Sequence, residues 1–254
     1  MYPAERQAAI VKLAQHGTGE ISVAAASEAL QVTSETIRRD LAVLERQGLI
    51  RRQHGGARLT QSTPFEIALA QRRLEDAPEK QRIARRVLEE LPADGVVLLD
   101  SGALTLVIAA MFPEDRSLMV VTNNLPAVRL LSQKPRLTVL ALPGRVRSLT
   151  QGAVDEWTRA RISQLNVDVA FVGGNGLTAE AGLTTTIPDE AEVKRAMMLS
   201  GRRRVLAITS TKIGSNSFCH VAAANEFDLI ITDSGIDPRQ ARRLSAAGPE
   251  LVIV

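Results

Sequence analysis

Apolar positions recur at helical spacing early in the chain, and past residue 94 they gather into short runs of strand length. Over residues 5–16, Ala9, Ile10, Leu13 and Ala14 mark one helical face, and Gly17 and Gly19 end it. A second short helix is predicted from Ser22 through Ala24-Ala25-Ala26 to Leu30, followed by a turn at Gln31-Val32-Thr33. From Ser34 onward Ile37, Leu41 and Leu44 form an apolar stripe, while Arg38, Arg39, Ala42 and Arg46 fall opposite. Thr33 or Ser34 caps the start of this helix, and Gly48 closes it. The stretch from Leu49 to Leu59 then reads as a basic hairpin with Gly55-Gly56 at its tip. Two short helices, a tight turn between them and a hairpin behind them make a winged helix-turn-helix.

Thr60-Gln61-Ser62-Thr63-Pro64 breaks the pattern with polar residues, and an amphipathic helix follows from Glu79 to Leu88. Strand-like runs then appear at Val96–Leu99, Leu118–Val121, Leu137–Ala141, Val169–Val172, Val205–Ile208, Leu229–Ile231 and Leu251–Val254. Helical segments lie between them, near Leu104–Phe112, Leu125–Gln133, Val154–Leu165, Glu190–Ser200 and Pro238–Ala246. Several runs are continuous rather than alternating, as in strands covered on both faces of a mostly parallel sheet. The expectation is therefore an α/β chain: a DNA-binding module over 1–58, a linker over 59–78, and a Rossmann-like layer sandwich over 79–254.

Charge sharpens the N-terminal reading. Between Ile37 and Arg58 there are six arginines against Asp40 and Glu45, a surplus of four that exceeds the whole chain's net charge of +3. A basic helix with a hydroxyl-rich start suits phosphates and base edges. Thr33, Ser34, Thr36, Arg38 and Arg39 are the expected contacts from the helix. Arg51, Arg52, His54, Gly55 and Gly56 are those from the wing, where His54 reads equally as a polar turn residue. Aromatics are only 3% of the chain, which argues against stacking platforms for single strands. Cys219 is the single cysteine, so no disulfide forms within the chain and a reducing, cytoplasmic setting is expected. No apolar run reaches the roughly 18 residues that a membrane span needs.

In a parallel sheet, ligands bind beyond the carboxyl ends of the strands. Those ends read Asp100-Ser101-Gly102, Thr122-Asn123-Asn124, Gly144-Arg145-Val146-Arg147, Gly173-Gly174-Asn175-Gly176 and Thr209-Ser210-Thr211-Lys212. Each alone is an ordinary strand end. Together they describe a pocket that binds hydroxyls and an anion. Ser101 and Gly102 open a loop before a helix that can cradle a phosphate, and Asp100 suits a sugar hydroxyl better. Arg145, Lys194 and Lys212 are the expected cations, and Asn175-Gly176 allows close backbone approach. Lys194 follows Glu190 by four residues, so its charge goes either to a ligand or to an i,i+4 surface pair.

Glu5-Arg6-Gln7, Val32-Thr33, Thr36-Ile37-Arg38-Arg39-Asp40-Leu41, Leu44, Gly48 and Arg52-Gln53-His54-Gly55-Gly56-Ala57 resemble the N-terminal signature of the DeoR family of bacterial repressors. The resemblance continues through Glu79-Lys80 with Ile83-Ala84, Asp100-Ser101-Gly102, Thr122-Asn123, Asp168–Gly173, Asn175-Gly176, Glu190 with Lys194, Lys212 with Gly214, and Ile231-Thr232-Asp233. It implies a C-terminal sensor domain with a ribose-phosphate-isomerase-like fold. It also implies a phosphorylated sugar as inducer, double-stranded operator DNA as partner, and a homodimer or homotetramer. The strand ends and the resemblance together give expected ligand contacts at Asp100, Ser101, Gly102, Thr122, Asn123, Asn175, Gly176, Glu190, Lys194 and Lys212, with Arg145 expected from the strand ends alone, and no cofactor or metal is expected. Two departures stand out. Ala103-Leu104 replaces the family's usual Thr-Thr, leaving only Thr105 nearby, and Thr209 replaces a common Asp. The alternative is a sugar-phosphate isomerase-like enzyme with Glu190 or Asp189 as base and Lys212 as phosphate clamp.

Overall fold

The computed structural model describes residues 3–16, 19–46, 50–59, 75–148 and 150–254. The chain divides into two compact units, with the boundary after Glu75. The first unit contains α1 (Pro3–His16), β1 (Glu20–Ser22), α2 (Val23–Leu30), α3 (Ser34–Arg46), β2 (Ile50–Gln53) and β3 (Gly56–Leu59). Ser22 caps α2 by accepting from the Ala25 N–H at 3.0 Å. Gln31, at φ 53, turns the chain out of that helix. The turn is fastened at Val32, whose N–H donates to the Ser27 carbonyl (3.2 Å) while the Ser27 hydroxyl donates to the Val32 carbonyl (2.5 Å). Thr33, rather than Ser34, is the cap of α3: its Oγ1 accepts from the Thr36 N–H at 3.3 Å.

The apolar stripe of α3 faces inward as expected. Ile37, Leu41 and Leu44 join Ile10, Val11 and Ala14 of α1, Ala26 of α2, and Ile21, Ile50 and Ala57 of the small sheet in one core. That sheet has the order β1-β3-β2. β1 is too short to show an alternation of its own; only Ile21 turns inward, and pairing with β3 makes it a strand. The hairpin tip differs from expectation. Gln53 pairs with Gly56, so the turn is His54-Gly55, with Gly55 at φ +75. Gly56 belongs to β3, where any Cβ would fall 2.3 Å from the Ile21 carbonyl oxygen. Gly48, expected to close α3, lies outside the described residues.

The second unit runs α4 (Ala77–Leu88), β4 (Asp94–Leu99), α5 (Ala103–Ala110), β5 (Ser117–Thr122), α6 (Leu125–Leu131), β6 (Leu137–Ala141), α7 (Glu156–Ile162), β7 (Val167–Val172), β8 (Gly176–Thr178), β9 (Gly182–Thr185), α8 (Pro188–Ser200), β10 (Gly201–Ala207), β11 (Cys219–Ala222), β12 (Leu229–Thr232), α9 (Pro238–Ala246) and β13 (Glu250–Ile253). The predicted apolar runs form one parallel sheet in the order β13-β12-β10-β7-β4-β5-β6. Alternate residues Leu98, Val121, Ala170, Leu206 and Ile230 share a core with Ile162, Met197, Met198 and Leu244 from α7, α8 and α9. Their neighbours Val97, Leu99, Phe171, Val205 and Leu229 are equally buried, so both faces are covered, the Rossmann-like arrangement expected.

The order reverses between β4 and β7, the position at which open parallel sheets leave a crevice at the carboxyl ends. An antiparallel sheet of order β11-β9-β8, which the apolar pattern did not reveal, follows β7 and brings Thr185 to Glu190.

Ile37 is fully buried in the small unit, so Ile37→Ala is expected to cost about 2–5 kcal/mol. Thermal unfolding followed by circular dichroism should show loss of the N-terminal transition while that of the α/β unit stays in place.

Candidate nucleic-acid interface and ligand site

On the first unit, burial of one face of α3 leaves its arginines outward. Arg38 and Arg39 are 57% and 80% exposed, and each faces Glu35, at 3.6 and 3.4 Å. Thr33 is exposed, and Ser34 and Thr36 are half-buried at the start of the same helix. Asp40 turns the other way. It is buried, accepts from Arg6 Nε at 2.5 Å and from Gln7 Nε2 at 3.0 Å, and so fixes α3 against α1. A hydrogen bond to this carboxylate also raises the Arg6 pKa above its ordinary value. In the wing, Arg51 lies directly across from Arg58, and both are exposed with Arg52, His54 and Gly55. The Arg52 N–H donates to Glu45 Oε1 at 3.0 Å, tying β2 to α3. Gly56 is buried against β1 and belongs to the packing of the wing, not its surface.

The second unit gathers a buried chain of alternating charges at the β4–β7 crevice. Arg147 donates to Glu190 Oε2 at 3.1 Å; Glu190 Oε1 lies 4.0 Å from Lys194 Nζ; Lys194 donates to Asp100. The Thr185 hydroxyl sits 2.9 Å from both Glu190 Oε2 and Asn175 Oδ1. Lys194 is 2% exposed, so its i,i+4 pair with Glu190 is buried and not a surface pair, and its ammonium also reaches Asp100 at the end of β4.

Asp100 is itself occupied. Its Oδ1 takes the Ser101 N–H (2.7 Å), and its Oδ2 takes the Gly173 N–H (3.0 Å) and the lysine. That makes it a counter-ion, with no open edge for a sugar hydroxyl. Burial pushes its carboxyl above the ordinary aspartate value and outweighs the opposing pull of Lys194 and the Gly173 N–H. A carboxyl raised in this way costs stability once the pH exceeds its unfolded value, so the charged pair is held at the expense of the fold.

The remaining strand ends differ in role. Gly102 precedes α5 with no side-chain cap, at φ +140, and a Cβ there would meet only Thr105 Oγ1 at 3.7 Å. A Cβ on Gly173 would meet nothing nearer than 3.8 Å. A Cβ at either glycine would thus be in ordinary van der Waals contact, so the backbone at the switch point is not crowded. Lys212 Nζ reaches the Gly174 carbonyl at 3.1 Å. Its turn is pinned by Asp233, which accepts from the Ser210 N–H (2.7 Å) and hydroxyl (2.6 Å). Burial raises the Asp233 pKa, but those donors and the Gly235 N–H bring it below the ordinary value.

Asn123 spans toward Ser101 Oγ (3.5 Å) and the Ala153 carbonyl (2.9 Å). Thr122 is spent on the backbone, accepting from the Asn124 N–H at 3.1 Å. Arg145 is exposed and pairs with Asp189. Gly176 is buried in β8, where a Cβ would fall 2.4 Å from the Ser215 carbonyl oxygen, so it serves packing.

Arg147 and Thr185 were missed among the expected site residues. The Arg145-Val146-Arg147 alternation was the available signal: the two arginines sit two apart in extended chain and meet the successive acids Asp189 and Glu190. A hollow of about 510 Å³ lined by Pro143, Trp157, Ala160, Arg161 and Gln164 shares no residue with this cluster.

Because each charge is buried against its partner, Asp100→Asn or Lys194→Met alone should cost about 3–5 kcal/mol in urea unfolding of the full chain, and the double replacement should recover most of that loss. A double variant no better than the worse single one would show that the two charges act independently.

Residues 6–63 match the DeoR-like helix-turn-helix domain family, and residues 75–234 match the DeoR C terminal sensor domain family. The chain is 35% identical over 252 residues to the HTH-type transcriptional regulator GlpR of Haloferax volcanii, covering 99% of this chain and 98% of the relative. It is 31% identical over 237 residues to the glycerol-3-phosphate regulon repressor of Escherichia coli, covering 92% of each. A ribose 5-phosphate isomerase A of Methanocaldococcus jannaschii aligns over 55% of each chain with a TM-score of 0.40 and 12% identity. A capped helix-turn-helix with its signature residues in place, joined to the matching sensor unit, places this chain in the DeoR family of transcriptional regulators.

Proposed function

We propose that this protein is a repressor that reads double-stranded operator DNA through α3 and the wing, and that a phosphorylated sugar or polyol bound at the β4–β7 crevice releases it. The observation that carries the DNA-binding half is the pairing of Asp40 with Arg6 and Gln7, which turns the only buried acid of the Thr-Ile-Arg-Arg-Asp-Leu stretch inward and leaves Arg38 and Arg39 outward. Arginines at the start of such a helix suit guanine edges, and Arg51, Arg52 and His54 suit phosphates. Its assembly as a homodimer or homotetramer would pair two recognition helices on repeated half-sites.

The effector half rests on the uncrowded backbone at Gly102 and Gly173, the start of α5 with no side-chain cap, and the nearby Lys212, whose Nζ donates to the Gly174 carbonyl. A relative named for the glycerol-3-phosphate regulon favours a small phosphate ester. Against the isomerase alternative, Glu190 is engaged by Arg147 and Thr185, Asp189 pairs with Arg145, and the named relatives are regulators. Release requires the ligand to bind the DNA-free arrangement more tightly than the DNA-bound one.

Arg39→Ala should weaken binding to the promoter of the protein's own operon by about 1–3 kcal/mol and relax preference at one base pair of each half-site, while Arg51→Ala should weaken binding to all sequences and flatten the salt dependence. Unchanged affinity in both variants would remove α3 and the wing as the interface. Gel shifts on the same promoter, titrated with glycerol 3-phosphate and a panel of sugar phosphates, should show release by at least one ester. Retention with every ester would refute the effector reading.

A further inference from the structure

We infer that Asn123 and Thr150 form a hydroxyl-recognition subsite beside the anion end of the crevice, one that selects phosphate esters carrying a hydroxyl on the carbon chain. This rests on the effector reading above and assigns residues to the carbon-chain end of the ligand. Among the described residues, the buried side-chain atoms without a hydrogen-bond partner include Asn123 Oδ1 and Thr150 Oγ1, on residues only 1% and 3% exposed. Buried polar atoms left unmatched in a folded chain call for a partner from outside it.

The chemistry of that partner follows from the amide. Asn123 Nδ2 donates to the Ala153 carbonyl at 2.9 Å, and a carbonyl only accepts, so the orientation of the side chain is fixed. The unmatched atom is therefore an acceptor and needs a donor. A phosphate dianion offers only acceptors and is repelled there; a hydroxyl donates. Thr150 supplies the complementary group, a hydroxyl that both donates and accepts.

The two residues are brought to one place by Gly152. The chain at 152–153 runs antiparallel to 123–124, with the Ala153 N–H donating to the Asn123 carbonyl at 2.8 Å. A Cβ on Gly152 would lie 2.4 Å from Ser101 Oγ and 3.6 Å from Thr150 Oγ1, and Ser101 in turn faces Asn123 Nδ2 at 3.5 Å. Ser101 adjoins Gly102 and the start of α5. A ligand whose phosphate sits at that helix start therefore has its carbon chain beside Asn123 and Thr150, with the 150–153 segment seated over it.

The test is a cycle between one protein hydroxyl and one ligand hydroxyl. Binding of matched pairs that differ by one hydroxyl is measured by calorimetry on the full chain: glycerol 3-phosphate against 3-hydroxypropyl phosphate, and glucose 6-phosphate against 2-deoxyglucose 6-phosphate. The parent protein should prefer the hydroxylated member of a pair by about tenfold. Thr150→Val should remove most of that preference without weakening the deoxy compound, and Thr150→Ser should keep it. Because Thr150 Oγ1 has no partner in the free protein, Thr150→Val should also leave the melting temperature unchanged or raise it; a fall would mean a buried water already holds that hydroxyl and would overturn the subsite. Esters that bind without discriminating their hydroxyl overturn the subsite alone. If no phosphate ester binds, both the subsite and the effector reading fall.

Discussion

A lysine buried in a protein interior is tolerable only beside a carboxylate that is buried with it, and Lys194 with Asp100 forms the join on which the sensor unit depends. One partner comes from the middle of α8 and the other from the carboxyl end of β4, 94 residues apart in sequence. Because Asp100 also collects the Gly173 N–H, this ion pair draws the ends of β4 and β7 and the body of α8 to one point. That point is the switch in strand order. The charge chain then extends through Glu190 to Arg147, so the segment after β6 is fastened to the same helix. Two cations and two carboxylates compensate one another along this line. Their charges are thus spent on one another, which is why the proposed anion site is placed at the start of α5 rather than on this line.

The energetic cost of that join is informative. Asp100 is held above its ordinary pKa, so keeping it ionised at neutral pH works against folding. An apolar pair of similar volume would serve stability as well or better. What the charges supply is geometry: a fixed Gly173 backbone, a fixed α5 start and a crevice whose walls do not drift. Asp233 is the contrasting case. Its carboxyl sits below the ordinary value because three donors converge on it, so it adds stability above the unfolded pKa and loses it as the pH falls through the folded one. The Lys212 turn that it pins is thus stabilised by the acid that orients it.

The sheet could be read from the sequence because a buried parallel strand needs a short continuous apolar run between turn residues; α5 has a similar texture, and its length and place between two such runs mark it as the crossover helix. The helix-turn-helix could be read for a related reason: caps, turn and apolar stripe are all encoded within a few residues of where they act. β8, β9 and β11 could not. Each is three or four residues long, and their buried residues Leu177, Leu183 and Val221 become a pattern only after the chain has folded back on itself. Residue types at the site were legible, but partners were not. Lys194 has the sequence spacing of a helix-surface pair with Glu190, and nothing local to it reveals Asp100. Likewise Asp40 looked like one more charge on a basic helix until Arg6 and Gln7 of α1 met it.

The departures at Ala103, Leu104 and Thr209 acquire a physical meaning in this frame. Ala103 and Leu104 are buried apolar residues, so the first turn of α5 gives its side chains to packing. Thr105, the hydroxyl that remains, donates back to the Gly102 carbonyl at 3.1 Å. On the proposed reading, the start of α5 would offer an anion its backbone N–H groups and Ser101 but no hydroxyl from its first turn. Thr209 takes its hydroxyl to Thr211, 3.0 Å away, and so contributes to the turn and not to the space above Gly173. If a phosphate ester is bound as proposed, so plain a phosphate end would leave discrimination to the residues that meet the carbon chain, which is the role proposed for Asn123 and Thr150 beside the end of β5.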